Sequence, residues 1–322
     1  MSDPFGPYAL PGYTNPSPLF QPGGYLTLVS GTPVITSDQA SKTIVYYAQD
    51  VHDAFPIIKN GQRCAIYFDA PRLVLSSAHA ASGIYDVFGV ERNGQGHIVT
   101  GPVWSTVTAG SCARGTGGAT TELTRKAGLL VNRWGIPGLN DDGSQYIEPL
   151  QGTYLGSIFI DGSAGQVTCH RSYGQNRKWG VWNAYNRRPI HLKVGDATVS
   201  WTYGSATVRP TNNSTDNKGT PFSGLAEELV RVQRYQYGAT PASCAIQAGI
   251  GWNSTTVSSG LSAQSSNDST AGVNAFSVAH YDNPTPPLGI NNVTSLENAN
   301  ASGSTTILGA EASCLMTILW RG

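Results

Sequence analysis

Catalysis by side chains needs groups of the right type held close together, and the sequence offers few such pairs. Asp141-Asp142 and Glu227-Glu228 are adjacent carboxylates, while Asp161 and Asp196 stand alone. Glycoside hydrolysis takes two carboxyl groups about 5–9.5 Å apart across the scissile bond. Neighbours on a strand point to opposite faces, so neither adjacent pair forms a dyad by itself, though distant carboxylates could converge in space. The six histidines (52, 79, 97, 170, 191 and 280) show no HExxH, and no GxSxG occurs. Gly115-Thr116-Gly117-Gly118 is glycine-rich, but no GK[ST] follows it, so a phosphate loop is not read there. The cysteines (Cys64, Cys112, Cys169, Cys244, Cys314) are odd in number and widely spread, without CxxC. That pattern suits buried thiols better than a zinc site or a disulfide framework. No catalytic residue, metal site or cofactor is expected.

Two groups of residues could bind rather than react. Residues 170–195 carry Arg171, Arg177, Lys178, Arg187, Arg188 and Lys193 without one acidic residue, with Trp179, Trp182 and Tyr185 among them. Such a surface would suit an anionic polysaccharide or a partner subunit. The weightier alternative is a role in the fold, with Trp182 and Tyr185 in the core and the arginines facing solvent. The second group is Trp252-Asn253 and His280-Tyr281-Asp282-Asn283, each ending an apolar run and entering a polar loop. Aromatic faces stack on sugar rings and Asn or Asp bonds hydroxyls. Trp252, Asn253, His280, Tyr281 and Asp282 are therefore the glycan candidates, against the plainer reading of loop aromatics packed under their own turns.

The elements that would position these residues read as strands. Tyr25–Leu28, Thr43–Tyr47, Cys64–Phe68, Leu73–Leu75 and Tyr85–Val90 are β-branched or aromatic runs. Asn60-Gly61 and Asn93-Gly94 sit between runs, where their tolerance of positive φ suits hairpin turns. Leu229 to Tyr237, the most charged candidate for a helix, alternates Leu229, Arg231 and Gln233 against Val230, Val232 and Arg234, which is strand spacing. Further buried strands are read at 245–250, 275–279 and 314–320, with Ser/Asn/Gly loops at 253–272 and a proline-rich loop at 283–287. The expected fold is all-β. Residues 1–24, with Pro4, Pro7, Pro11, Pro16, Pro18 and Pro22 among Tyr8, Tyr13 and Phe20, form an extended docking arm. Residues 25–205 form a β-rich body. The polar stretch 211–219 suggests a boundary just before it, so that 206–322 form a jelly-roll-like sandwich.

Composition agrees with an all-β protein of many turns. Among 322 residues 39% are hydrophobic but only 12% are charged, and net charge is zero. Glycine alone contributes 38 residues. The chain can bury a core while presenting a surface rich in hydroxyls and amides. A neutral chain argues against a sequence-independent nucleic-acid binder, whose affinity comes from Lys and Arg at phosphates. No run approaches the roughly 18 apolar residues of a membrane span, and no signal peptide is read at the N-terminus. Synthesis in a cytoplasm is the expectation.

From Glu122 to Asn132 (ELTRKAGLLVN), then Gly152-Thr153-Tyr154-Leu155-Gly156, then Trp182 to Pro189 (WNAYNRRP), then Ser200-Trp201-Thr202-Tyr203, the sequence resembles a family of virion proteins of tailed phages and prophage-like elements. These are fibre, minor tail or head-spike proteins. The opening Gly24–Val34 and the strand Tyr85–Phe88 also fit, so the resemblance covers roughly residues 24–205. It is looser beyond, through Pro287-Leu288-Gly289 and the closing Leu319-Trp320-Arg321-Gly322. The resemblance implies a β-rich, oligomeric virion component, with a trimer as the expected state. The arm would contact other virion proteins, and residues 206–322 would face the host, where a surface polysaccharide is a candidate ligand. Two alternatives stand beside this one: a decoration or cement protein without a receptor role, and a polysaccharide depolymerase.

Overall fold

The computed structural model describes residues 20–140, 143–241, 243–264, 266–267, 273–300 and 302–322. Most of the proline-rich arm and the pair Asp141-Asp142 lie outside the described residues. Strands dominate throughout, with one short 3-10 turn at Thr211–Asn213 among the described residues. The all-β expectation holds.

Contacts divide the chain into two units. The first takes the described residues through Val107, with Cys112–Cys169 and Gly180–Arg187; the second takes Thr108–Ser111, His170–Trp179 and Arg188–Gly322. Residues 188–205, assigned from sequence to the body, thus belong with the C-terminal unit. The strand Ser200–Tyr203 shows why, since it pairs with Thr305–Leu308 near the end of the chain.

The first unit is built on a sheet whose central strands Ile84–Arg92, Gln95–Val103 and Thr153–Phe159 are joined antiparallel. The hairpin turns fall where the sequence put them. Asn60 and Gly61 have φ of 51° and 75°, and Asn93 and Gly94 have 53° and 79°, the left-handed pair that matches strand twist. Ala127-Gly128 makes a third such turn, with φ of 47° and 79°. A smaller sheet, Gly24–Thr27 with Ile44–Gln49 and Arg72–Val74, carries Tyr47 into a ring cluster with Phe55 and Phe68.

The second unit is a two-sheet sandwich. One sheet runs Pro189–Val194, Cys314–Arg321, Val230–Thr240, Val273–Asn283, Leu261–Gln264; the other is centred on Val293–Ala299 and Cys244–Trp252. Along Val230–Thr240 burial alternates as the sequence predicted: Val230, Val232 and Arg234 are buried, Arg231 and Gln233 exposed. The inner faces meet over Trp201, Ile246, Ala275, Ile307 and Cys314, and Ser277 Oγ accepts the Ala248 amide across the gap at 2.9 Å.

Two expectations are corrected here. The polar stretch 211–219 does not follow a boundary, since residues 188–322 lie in one unit: Thr211 and Asn217 are fully buried, and their side chains complete the sandwich interior. The loop read at 253–272 contains the edge strand Leu261–Gln264. All five cysteines are thiols, four of them buried and Cys64 half-buried.

Candidate functional site

Strand alternation distributes the five glycan candidates over two faces. On Val273–Asn283 the residues Phe276, Val278 and His280 are exposed on the outer face, while Ala275, Ser277 and Ala279 are buried. His280 and Asp282 therefore share the outer face, and Tyr281 turns inward to meet Trp252 of the opposite sheet, ring centroids 5.8 Å apart. Asn253 is committed to the fold. Its Nδ2 donates to Asn291 Oδ1 at 3.0 Å, its Oδ1 accepts the Asn292 amide at 2.7 Å, and its own backbone stands at φ 49°. Asp282 accepts both Arg231 Nε and Nη2 at 3.1 Å, and its Oδ1 lies 3.3 Å from His280 Nε2. The hydrogen bonds and charge of Arg231 hold this carboxyl below the usual range.

The outer face around His280 holds a groove of about 600 Å³, lined by Gln233, Tyr235, Leu261, Ala263, Val278, His280, Leu315 and Thr317. Register explains the lining. Leu315, Tyr235, Val278 and Ala263 stand side by side across four strands, and Thr317, Gln233, His280 and Leu261 form the next row. The sequence reading found His280 but not the groove, since only the pairing of distant strands brings residues 233, 261, 278 and 315 together.

The basic segment is likewise divided. Arg187 belongs to the first unit, whereas Arg171, Arg177, Lys178, Trp179 and Arg188 belong to the second. Trp179 is buried and Arg171 lies over its ring at 4.5 Å, so the indole is covered by its own neighbour. Arg187 covers the buried Trp182 in the same way at 5.2 Å. Arg177 and Lys178 form a short strand parallel to Lys218–Thr220. Trp179 and Trp182 serve packing, and Arg171 and Arg187 cap them through cation–π contact.

Each unit also buries a carboxylate that sequence reading did not single out. In the first, Asp86 accepts from Arg114, Trp104 Nε1 (3.1 Å), Thr121 Oγ1 (2.7 Å) and Ser157 Oγ (2.7 Å). In the second, Glu297 accepts from Arg209 Nε (2.9 Å), Trp201 Nε1 (2.9 Å) and the Asn212 amide (3.1 Å). Burial pushes the Glu297 carboxyl up, against the pull of Trp201, Arg234 and Arg209. Nearby, the buried Arg234 donates to the Leu296 carbonyl, Gln236 Oε1 and Thr211 Oγ1. Of the lone carboxylates, Asp161 accepts from Thr168 Oγ1 at 2.5 Å. Asp196 is met by the Thr198 amide and by the side-chain amides of Gln175, Asn212 and Asn217. Burial raises the Asp196 carboxyl, but those donors outweigh it and hold it below the usual range. Carboxylates taken up by several donors are poor proton shuttles and good pins. No cluster of three or more His, Cys, Asp or Glu arranged for a metal ion occurs among the described residues.

No protein-family model matches the chain, and no curated protein matches it. Among solved structures it is similar to that of the infectious bursal disease virus Gx strain, at 12% identity and a TM-score of 0.27, over 88% of this chain and 73% of that one. The VP2 subviral particle of infectious bursal disease virus gives 12% and 0.27, over 93% and 72%. The mosquito-larvicidal Cry4Aa toxin from Bacillus thuringiensis gives 8% and 0.20, over 88% and 51%.

Proposed function

We propose that the chain is a structural subunit of a virus-type particle, of the fibre or spike kind that its sequence resembles, and that it works by assembly rather than catalysis. The observation that carries this reading is what the resembling segments do in the fold. Asn132 bonds the carbonyls of Trp134 and Glu148 and the amide of Gly152. Asn183 imitates a strand neighbour, accepting the Leu26 amide at 2.6 Å and donating to its carbonyl at 3.2 Å. Asn186 donates to the carbonyls of Pro22 and Gly24, and Trp201 donates to Glu297. These four residues fix strands to one another. A scaffold whose recognisable residues include such joints suits a particle component.

The test is to purify particles released from cells that carry the gene and to label the chain in them. Presence in the purified particle, with label on an appendage, supports the proposal. Label spread evenly over the shell would favour a decoration protein, and absence from particles would end the virion reading. Release of reducing ends from capsule polysaccharide by the purified chain would show a depolymerase instead.

A further inference from the structure

The first unit holds a pocket of about 260 Å³ that the assembly reading does not use. Three pieces of chain meet there: the end of Ala54–Lys59, the strand Ile84–Arg92, and the turn that follows Gly143–Ile147. Its floor is apolar, made by the buried Ile57, Ile58, Val90 and Ile147. Its rim is polar. Lys59 and Glu91 form one side as an ion pair at 3.3 Å, and Glu91 Oε1 also accepts the Gly94 amide at 2.8 Å. The other side keeps its bonding capacity. Tyr146, Glu148 and Gln151 are exposed there, and their side chains make no hydrogen bond or ion pair among the described residues.

The local fold builds this rim. Ile147 faces inward, so Tyr146 beside it faces out, 61% exposed. Its hydroxyl lies over Gly135, where a Cβ would collide with it, so the ring is seated against backbone. The turn that carries Glu148 and Gln151 is held from within by Asn132. The Asn132 side chain donates to the Glu148 carbonyl at 2.8 Å, and its backbone carbonyl accepts the Leu150 amide at 2.9 Å. The Gln151 amide closes the turn on the Glu148 carbonyl at 3.2 Å.

We infer that this pocket binds one neutral sugar ring. A pyranose is apolar on its faces and edged with hydroxyls. It therefore needs an aromatic or aliphatic wall beside polar groups with bonds to spare, and the pocket sets Tyr146 beside Glu148 and Gln151. The carboxylate accepts, while the side-chain amide both donates and accepts, as neighbouring hydroxyls require. Other ligands suit the site less. An anion would meet the Glu148 charge, and a cation would find Glu91 already paired with Lys59. An alkyl chain would bury the Glu148 carboxylate without a partner. Pockets for drug-sized ligands run to about 300–1,000 Å³, so this one suits a single ring. The inference does not rest on the assembly reading, and its failure would leave that reading in place.

The experiment is saturation-transfer NMR on the full chain with the methyl glycosides of glucose, galactose, mannose and N-acetylglucosamine. Each is used at about 1 to 50 mM, since so small a ligand reaches only about millimolar affinity. Tyr146→Ala and Gln151→Ala are measured beside the wild type, with circular dichroism and melting to show that both are folded. Transfer to at least one glycoside that falls at least about 5-fold in both folded variants supports the site. No transfer to any of them, or transfer unchanged in either variant, overturns it. Methyl glucuronide should bind more weakly than methyl glucoside, because Glu148 repels it. Equal or tighter binding of the glucuronide would overturn the choice of a neutral ring.

Discussion

Arg114 holds Asp86 by two hydrogen bonds, Nε to Oδ2 at 2.7 Å and Nη2 to Oδ1 at 3.0 Å, where the aspartate side chain has no exposed surface. The guanidinium lies over the Trp104 ring at 4.4 Å and also donates to the Tyr154 hydroxyl at 3.1 Å. Every lone pair of the carboxylate that faces the interior is met by a donor. The second unit repeats the chemistry with Glu297, Arg209 and Trp201. Neither pair was brought into the interior for its Coulomb energy alone, since desolvation cancels most of that. Their value is that the right strands must be in register before the bonds can close.

Removing one partner of such a pair leaves a buried charge uncompensated. Asp86→Ala or Arg114→Ala is expected to destabilise the first unit by about 3–5 kcal/mol, and the double variant by clearly less than the sum. Urea unfolding followed by tryptophan fluorescence measures this. A cost below about 1 kcal/mol for either single variant would show that the pair is not a joint.

His79 makes stability depend on pH. Its Nδ1 accepts the Ser76 amide at 3.2 Å, and its Nε2 lies 3.0 Å from Thr100 Oγ1. Burial holds the imidazole below its ordinary value. The unfolded chain therefore binds the extra proton first. The contribution of His79 is whole above the ordinary value of about 6.5 and is lost as pH falls below it. Melting temperature should fall between about pH 7.5 and 5.5, more steeply in the wild type than in His79→Gln. Equal slopes would remove His79 as the source.

Gly156 sits at the register shift between the 153–159 strand and the 84–92 strand, with φ 159°. A Cβ there would stand 2.1 Å from the Trp182 carbonyl oxygen, a backbone atom that cannot swing away. Gly156→Ala should cost several kcal/mol, on the order of 3, and lower soluble yield. A variant that melts within about 2 °C of the wild type would mean that the 153–159 strand and its other neighbour, Val181–Asn183, can part at little cost.

Truncation should show a sharp threshold. Phe20 packs on His52, ring centroids 5.1 Å apart, beneath Arg63. Gly23 donates to the Ala54 carbonyl and accepts the amides of Asp50 and Val51. Removal of residues 1–19 is expected to leave the melting temperature unchanged while preventing incorporation into particles. Removal of 1–24 takes these bonds and both carbonyls held by Asn186, and should lower stability by about 2–4 kcal/mol. Normal incorporation of the shorter truncation would dismiss the arm.

Much of the fold was legible because it is local. Asn60-Gly61 and Asn93-Gly94 state their own turn geometry, and the alternation around Arg231 and Arg234 states which side is buried. The buried arginine was there to be read, as a charge in the apolar row. So was Asp86, a carboxylate inside the run Tyr85–Val90. What they bond was not legible, since Arg114, Thr121 and Ser157 come from elsewhere in the chain. The stretch 211–219 misled for the same reason. Polar side chains look like a domain boundary until a buried Glu297 and Arg234 are known to need them. Parity was legible too, since His280 and Tyr281 are neighbours on one strand and therefore face opposite ways.

The clamp on Pro22–Leu26 has a mechanical consequence. The first strand pairs with Ile44–Gln49 at four successive positions, and its carbonyls and amides are also gripped by Asn183 and Asn186. Hydrogen bonds in an antiparallel pair lie across the strand axis. Tension drawing the chain out along that axis therefore loads these bonds together, in shear, rather than peeling them one after another. The point where the chain enters the first unit is thus built as a strain-bearing root, able to carry load along the strand without unzipping.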